Sequence, residues 1–90
     1  MGSAELPDSV LRELDYFAGL NREYGPLDWK DLDRFKQELN VGPTRRIWSN
    51  VDLASLNEAC STRGILPQDS EKIVGIVERV KGGHHFRTRL

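Results

Sequence analysis

The chain has 90 residues, with 13 Lys and Arg against 14 Asp and Glu and a formal net charge of -1. That length builds one hydrophobic core rather than two, and the near-neutral balance argues against the broad positive footprint of a dedicated nucleic-acid binder. A single cysteine, Cys60, excludes an internal disulfide, and no Cys/His set has zinc spacing. With no apolar run near the roughly 20 residues of a membrane span, the expectation is a reducing, cytoplasmic or nuclear compartment and no metal or other cofactor. The N-terminus lacks the basic and apolar regions of a signal peptide. Met1-Gly2 has the start of a myristoylation signal, but position 6 is Leu rather than Ser or Thr, and Met-Gly-Ser is also a common expression remnant.

Residues 1–7 are expected to fray, with Pro7 closing them off and a single helical domain over 8–90. Asp8 or Ser9 then caps a first helix whose apolar face is Val10, Leu14, Phe17 and Ala18, joined by Leu11 and ending near Tyr24-Gly25. The link Gly25-Pro26-Leu27 only turns the chain, which predicts that the first two helices are adjacent and antiparallel. In the second, Trp29, Leu32, Phe35 and Leu39 fall at steps of three, three and four, one face of a 3.6-residue period, with charges between them. Asp28 can cap it and Asn40-Val41-Gly42-Pro43 stops it. Two aromatics on the buried stripe predict that this helix is central to the fold, with the other segments covering that stripe.

Thr44 can cap a turn or two in which Ile47 and Trp48 anchor to the core. Asn50 or Asp52 starts the next helix, with Val51, Leu53, Leu56, Ala59 and Cys60 inward and Gly64 placed for a left-handed terminus. Ile65-Leu66-Pro67 re-enters the core, and Asp69 or Ser70 caps the last long segment. There, Ile73, Val74, Ile76, Val77 and Val80 favour a strand by β-branching but a helix by spacing. The absence of a second strand to pair with decides for the helix. Gly82-Gly83 breaks it, and residues 84–90 either form a sixth helix anchored by Phe86 and Leu90 or fray. The fold class is therefore all-α, a bundle of five to six short antiparallel helices.

Catalytic chemistry is hard to place. Cys60 lies on an apolar face and reads as a small buried hydrophobe, and His84-His85 sit near an end. Asp31 and Asp33 point to different faces of their helix, with Lys30, Arg34 and Lys36 as neighbours, so they form no acid–base dyad. Gly82-Gly83 lacks the strand and the Lys-Ser/Thr of a phosphate-binding loop. The basic residues gather in Arg45-Arg46 and in Lys81, Arg87 and Arg89. These clusters read first as a solvated surface; the other reading is that segregated charge, acidic on the second helix and basic in the loop after it and at the tail, forms complementary faces for docking another protein.

The segment Trp29-Lys30-Asp31-Leu32-Asp33-Arg34-Phe35-Lys36-Gln37-Glu38-Leu39 resembles the second helix of pyrin domains. Arg63-Gly64-Ile65-Leu66-Pro67-Gln68-Asp69-Ser70 and the apolar helix after it resemble the fourth-to-fifth helix junction of death effector domains, with Asp52-Leu53-Ala54-Ser55-Leu56 similar to the helix before that turn. The resemblance is to the death-fold superfamily, most closely a divergent death effector domain, and covers roughly residues 9–90. It implies a non-enzymatic adaptor that links proteins in apoptotic or innate-immune signalling, with another death-fold domain as partner or with self-association into a homo-oligomer. The family's Arg-x-Asp-Leu signature would fall on Gly83-His84-His85-Phe86, where neither charge exists, so only Asp31 of its charged triad has a counterpart. The apolar patch of the family's second helix would fall near Gln37 and Glu38, both polar. The expected partner-binding residues are Asp31, Asp33, Arg45, Arg46, Glu71, Arg79 and Lys81. A rival expectation is a small matrix-type helical domain that binds membrane or nucleic acid through its basic clusters.

Overall fold

Apolar residues recurring every third or fourth position set the helices, and glycine, proline and aspartate set their ends. In the computed structural model, which describes residues 5–87, they are α1 (Asp8–Tyr24), α2 (Trp29–Glu38), α3 (Gly42–Ser49), α4 (Leu53–Thr62) and α5 (Pro67–Lys81). The described chain is all-helical, about 72% helix with no strands. Its radius of gyration of 12.5 Å is close to the roughly 12 Å of a close-packed chain this long. The expectations for residues 1–4, and for Arg89 and Leu90, lie outside the described residues.

Helix α1 buries Val10, Leu14, Phe17 and Ala18, the face read from its spacing. Its start differs from expectation. Pro7 holds the N-cap position with no side-chain cap, and its carbonyl accepts from Val10 N (3.0 Å) and Leu11 N (3.1 Å). Gly25 ends the helix at φ 86°, a left-handed conformation that glycine takes without a Cβ penalty. Helix α2 begins on a complete capping box. Asp28 accepts from Lys30 N and Asp31 N, while Asp31 accepts back from Asp28 N. Glu13 and Phe17, in the first half and middle of α1, meet Arg34 and Phe35 in the second half of α2, while Leu20 and Tyr24, toward the end of α1, share a cavity with Asp28 and Asp31 at the start of α2. The two helices are thus adjacent and antiparallel.

The centre of the fold is α5 rather than α2. Its Ile73, Ile76, Val77 and Val80 are buried, and its backbone approaches both α3 and α4 closely. The β-branched segment is a helix because its apolar residues cover neighbours on two sides at a 3.6 period, which a lone strand would not do. Helix α2 enters the core through Phe35 and, just past its end, Leu39. Edge-to-face stacking joins Phe17 to Phe35 (centroids 5.3 Å, 87°) and Phe35 to Trp48 (5.0 Å, 79°), an aromatic line through α1, α2 and α3.

Trp29, expected on the buried stripe, is 60% exposed; Leu27 in the preceding link is buried at that end of α2. Ile47, expected to anchor α3 beside Trp48, is 36% exposed, and Trp48 alone fills that place. Gly42 and Pro43 begin α3, so Thr44 is not its cap. Asp52 caps α4, with its side chain accepting from Ser55 N (2.9 Å), and Gly64 at φ 80° follows its end as read. Neither Asp69 nor Ser70 caps α5, whose N-cap is Leu66; both lie inside its first turn and are buried. After Lys81 no sixth helix forms among the described residues. Phe86 is nonetheless buried, because Asn40 accepts from Phe86 N (2.9 Å) and donates to Phe86 O (2.6 Å), gripping both polar groups of one residue.

Candidate functional site

Five short helices leave ten ends, and polar side chains that tie those ends together are not available to a partner. Asp69 Oδ2 accepts from Leu27 N (3.0 Å) and from Asn21 Nδ2 (2.8 Å), while Asn21 also donates to Gly25 O (2.9 Å) and accepts from Leu66 N (3.0 Å). This pair locks the end of α1, the link to α2 and the start of α5. Arg34 joins α2 to α1 through Glu13 (2.7 Å), pairs with Glu38 one turn on in its own helix, and lies over the ring of Tyr16 at 5.0 Å. Arg63 pairs with Asp15 at 2.8 Å, tying the end of α4 to α1.

The seven charged residues expected to bind a partner do not share one face. Arg45 donates to His84 O at 2.6 Å, with longer contacts to Leu39 O (3.4 Å) and Val80 O (3.5 Å), so it neutralises the carbonyl ends of α2 and α5. Lys81 donates to Ser49 O (2.9 Å) and Val51 O (2.7 Å) and does the same for α3. Asp31 holds half of the α2 capping box. Arg46 is exposed on α3, and Glu71 is exposed on the α4 side of α5, beside Asn57 and Ser61. Only Asp33 and Arg79 come together, around a cleft that also holds Lys36, His84, His85, Phe86 and Arg87.

Two surfaces went unread in the sequence. One is the corner where α1 turns into α2: Tyr24 is 77% exposed, Trp29 sits on the far side of the turn, and a cavity of about 450 Å³ lies among Leu20, Tyr24, Pro26, Asp28 and Asp31. The other is a groove of about 320 Å³ between α2 and α5, lined by Leu32, Lys36, Lys72, Gly75, Ile76 and Arg79. On α5 those positions follow i, i+3, i+4 and i+7, a helical spacing present in the sequence but overlapping the apolar stripe, with which it shares Ile76.

Perturbed titration points to structure rather than to reactivity. Burial pushes the Cys60 thiol up, only partly opposed by a hydrogen bond from Ser70 and by the charge of Arg63, which disfavours a thiolate nucleophile. Hydrogen bonds from Ser55 hold the exposed Asp52 carboxyl below its ordinary value, as its capping role requires. Burial alone would lower the Arg34 pKa, but Glu13 and Glu38 outweigh it and raise it. Among the described residues no group of three or more His, Cys, Asp or Glu is placed to hold a metal ion, and no helix is long and apolar enough to cross a membrane. Comparison with known proteins gave no match to a family model, to a curated protein or to a solved structure.

Proposed function

We propose that this chain is a non-enzymatic protein-interaction module of the death-fold type, closest to a divergent death effector domain, that acts as an adaptor in apoptotic or innate-immune signalling in the cytoplasm. The observation that carries an interaction role is the α1–α2 corner. Tyr24 and Trp29, at 77% and 60% exposure, present two large aromatic side chains beside Asp28 and Asp31. Exposed aromatics with charges at their edge are the composition of protein-docking surfaces, where the rings supply contact area and the charges supply selectivity. The helix order and the Arg63–Ser70 junction support the family reading.

Charge acts here as a set of weak terms. Exposed pairs contribute about 0–1 kcal/mol each, so Asp33, Arg46, Glu71 and Arg79 give useful affinity only jointly or in a repeating assembly. The test is light scattering of the purified chain over a concentration series at low and moderate salt, with Trp29→Ala and Arg46→Glu beside the wild type. Growth into salt-sensitive oligomers that either substitution suppresses, at unchanged melting temperature, supports homotypic assembly. Steeply salt-dependent binding to anionic vesicles or nucleic acid by a chain that stays monomeric would refute the reading in favour of a matrix-type domain. The basic side chains around Phe86, namely Lys36, Arg79, His84, His85 and Arg87, are the observation that favours this second reading.

A further inference from the structure

We propose that the groove between α2 and α5 receives an acidic amphipathic helix of a partner protein, whose backbone comes close to Gly75. This rests on the reading of the chain as an interaction module, and names a surface and the chemistry of the partner that fits it.

The groove combines an apolar floor with a cationic rim. Leu32 and Ile76 form the floor, and Lys36, Lys72 and Arg79 stand around it. None of the three cations pairs with a carboxylate among the described residues, where the ion pairs are those of Arg34 and Arg63. Lys36 and Arg79 lie over the ring of Phe86, at 5.9 and 5.1 Å from its centroid, which keeps both heads near the mouth of the groove. Arg87 extends the positive charge beyond that end, where His84 and His85 also lie, and Asp33 is the one acidic side chain among them. The nearby Glu71 and Glu78 lie on a neighbouring stripe of α5, off the groove.

Gly75 supplies the second observation. Glycine inside a helix is unfavourable relative to alanine, and is normally retained where its own fold leaves no room for a Cβ or needs a left-handed backbone. Neither reason holds here: a Cβ at Gly75 would meet nothing within 4 Å, and its φ is not positive. The chain's own packing therefore does not ask for glycine at the middle of α5. A helix laid along the groove does, because a missing side chain lets its backbone approach, with apolar anchors at i and at i+3 or i+4 against Leu32 and Ile76. Acidic residues flanking those anchors meet Lys36, Lys72 and Arg79. The volume of about 320 Å³ is at the lower end of ligand pockets and suits one or two anchoring side chains. A nucleic-acid backbone would use the cations but not the apolar floor or the glycine.

The test is selection of displayed random peptides of about four helical turns on the full chain. The best peptide is then synthesised and titrated against the wild type, Gly75→Gln and the double variant Lys36→Glu/Lys72→Glu. Glutamine is a good helix former, so Gly75→Gln is expected to melt no lower than the wild type while filling the groove. The expected result is an enriched set of acidic peptides with helical apolar spacing, whose affinity weakens with salt and falls at least about tenfold on either variant. Enriched peptides that are basic, or whose binding is indifferent to Gly75→Gln, would overturn the groove assignment and leave the module reading standing. Self-association of the wild type that Gly75→Gln abolishes would replace the partner helix by a second copy. Failure to enrich any peptide would overturn the groove assignment and leave the module reading to its own light-scattering test; binding of a single-stranded oligonucleotide or of phosphatidylserine vesicles that Lys36→Glu/Lys72→Glu abolishes and Gly75→Gln leaves unchanged would then name the replacement.

Discussion

Asp69 is fully buried, and removing its carboxylate tests whether the corner between α1, α2 and α5 is held by hydrogen bonds or by apolar packing alone. In Asp69→Ala the buried Leu27 N–H and one hydrogen of Asn21 Nδ2 lose their acceptor. A stranded buried donor costs about 1–3 kcal/mol; Leu27 N–H belongs near 2, while the half-buried Asn21 amide turns partly to water and belongs near 1. Against this, Asp69 Oδ1 is itself buried without a partner, and its removal relieves about 1 kcal/mol. The net loss is about 2 kcal/mol, out of the roughly 5–13 kcal/mol available to a domain of this size. Asp69→Asn is the informative contrast, because both bonds end on Oδ2. An amide oxygen placed there keeps them and leaves only an NH2 group where Oδ1 already lacked a partner. It should therefore cost about 1 kcal/mol or less, because both hydrogen bonds keep an acceptor oxygen. Urea unfolding followed by far-UV circular dichroism, at constant m-value, measures both. Equal loss for the two variants, or a loss below about 0.5 kcal/mol for alanine, would refute the account of acceptor geometry given above.

Asp52→Ala removes the α4 cap, and its effect should depend on pH. Because the folded-state carboxyl titrates below its ordinary value of 3.8, its stabilisation is complete above that value and disappears as pH falls through the lower folded-state value. Wild type and variant should thus differ at neutral pH and converge in strong acid, as thermal melts across pH would show. Cys60, buried with a raised pKa, should resist an aromatic disulfide reagent in the native protein and react at the rate of opening in urea; rapid native modification would contradict its burial. Lys81→Met should cost about 1 kcal/mol by removing the donor to the carbonyls of Ser49, at the end of α3, and of Val51, in the link after it, and a silent substitution would return Lys81 to the set of residues available for docking.

Apolar periods and some of the caps were readable, although Asp8 or Ser9, Thr44, and Asp69 or Ser70 are not the caps of α1, α3 and α5. Val10, Leu14, Phe17 and Ala18 lie on one face because burial repeats with the helix, and Asp28, Asp52 and Gly64 act where their side chains or φ require. The errors have a common physical origin. A helical stripe gives the direction of burial but not its extent along the axis, so Trp29 at the first position of α2 was placed inside although Leu27 fills that end. Charges read as surface features because the carbonyl ends they satisfy are brought near only by the fold. Arg45 reaches His84 and Lys81 reaches Ser49 across 39 and 32 residues. Asp69 was read as a local cap for the same reason: its partners Asn21 and Leu27 are 48 and 42 residues away. Of the site, the charged residue types were legible, but their division between helix ends and open surface was not.

The two tryptophans occupy opposite environments, Trp48 packed edge-to-face on Phe35 and Trp29 in the solvent layer beside the α1–α2 turn. The intrinsic emission is thus a sum of two signals with separate meanings. A water-soluble quencher reaches Trp29 and leaves Trp48 dark to it until the core opens. With Trp29→Phe, the remaining emission reports core integrity alone; with Trp48→Phe, it reports what settles on the corner. The molecule carries its own pair of optical probes, one for folding and one for occupancy.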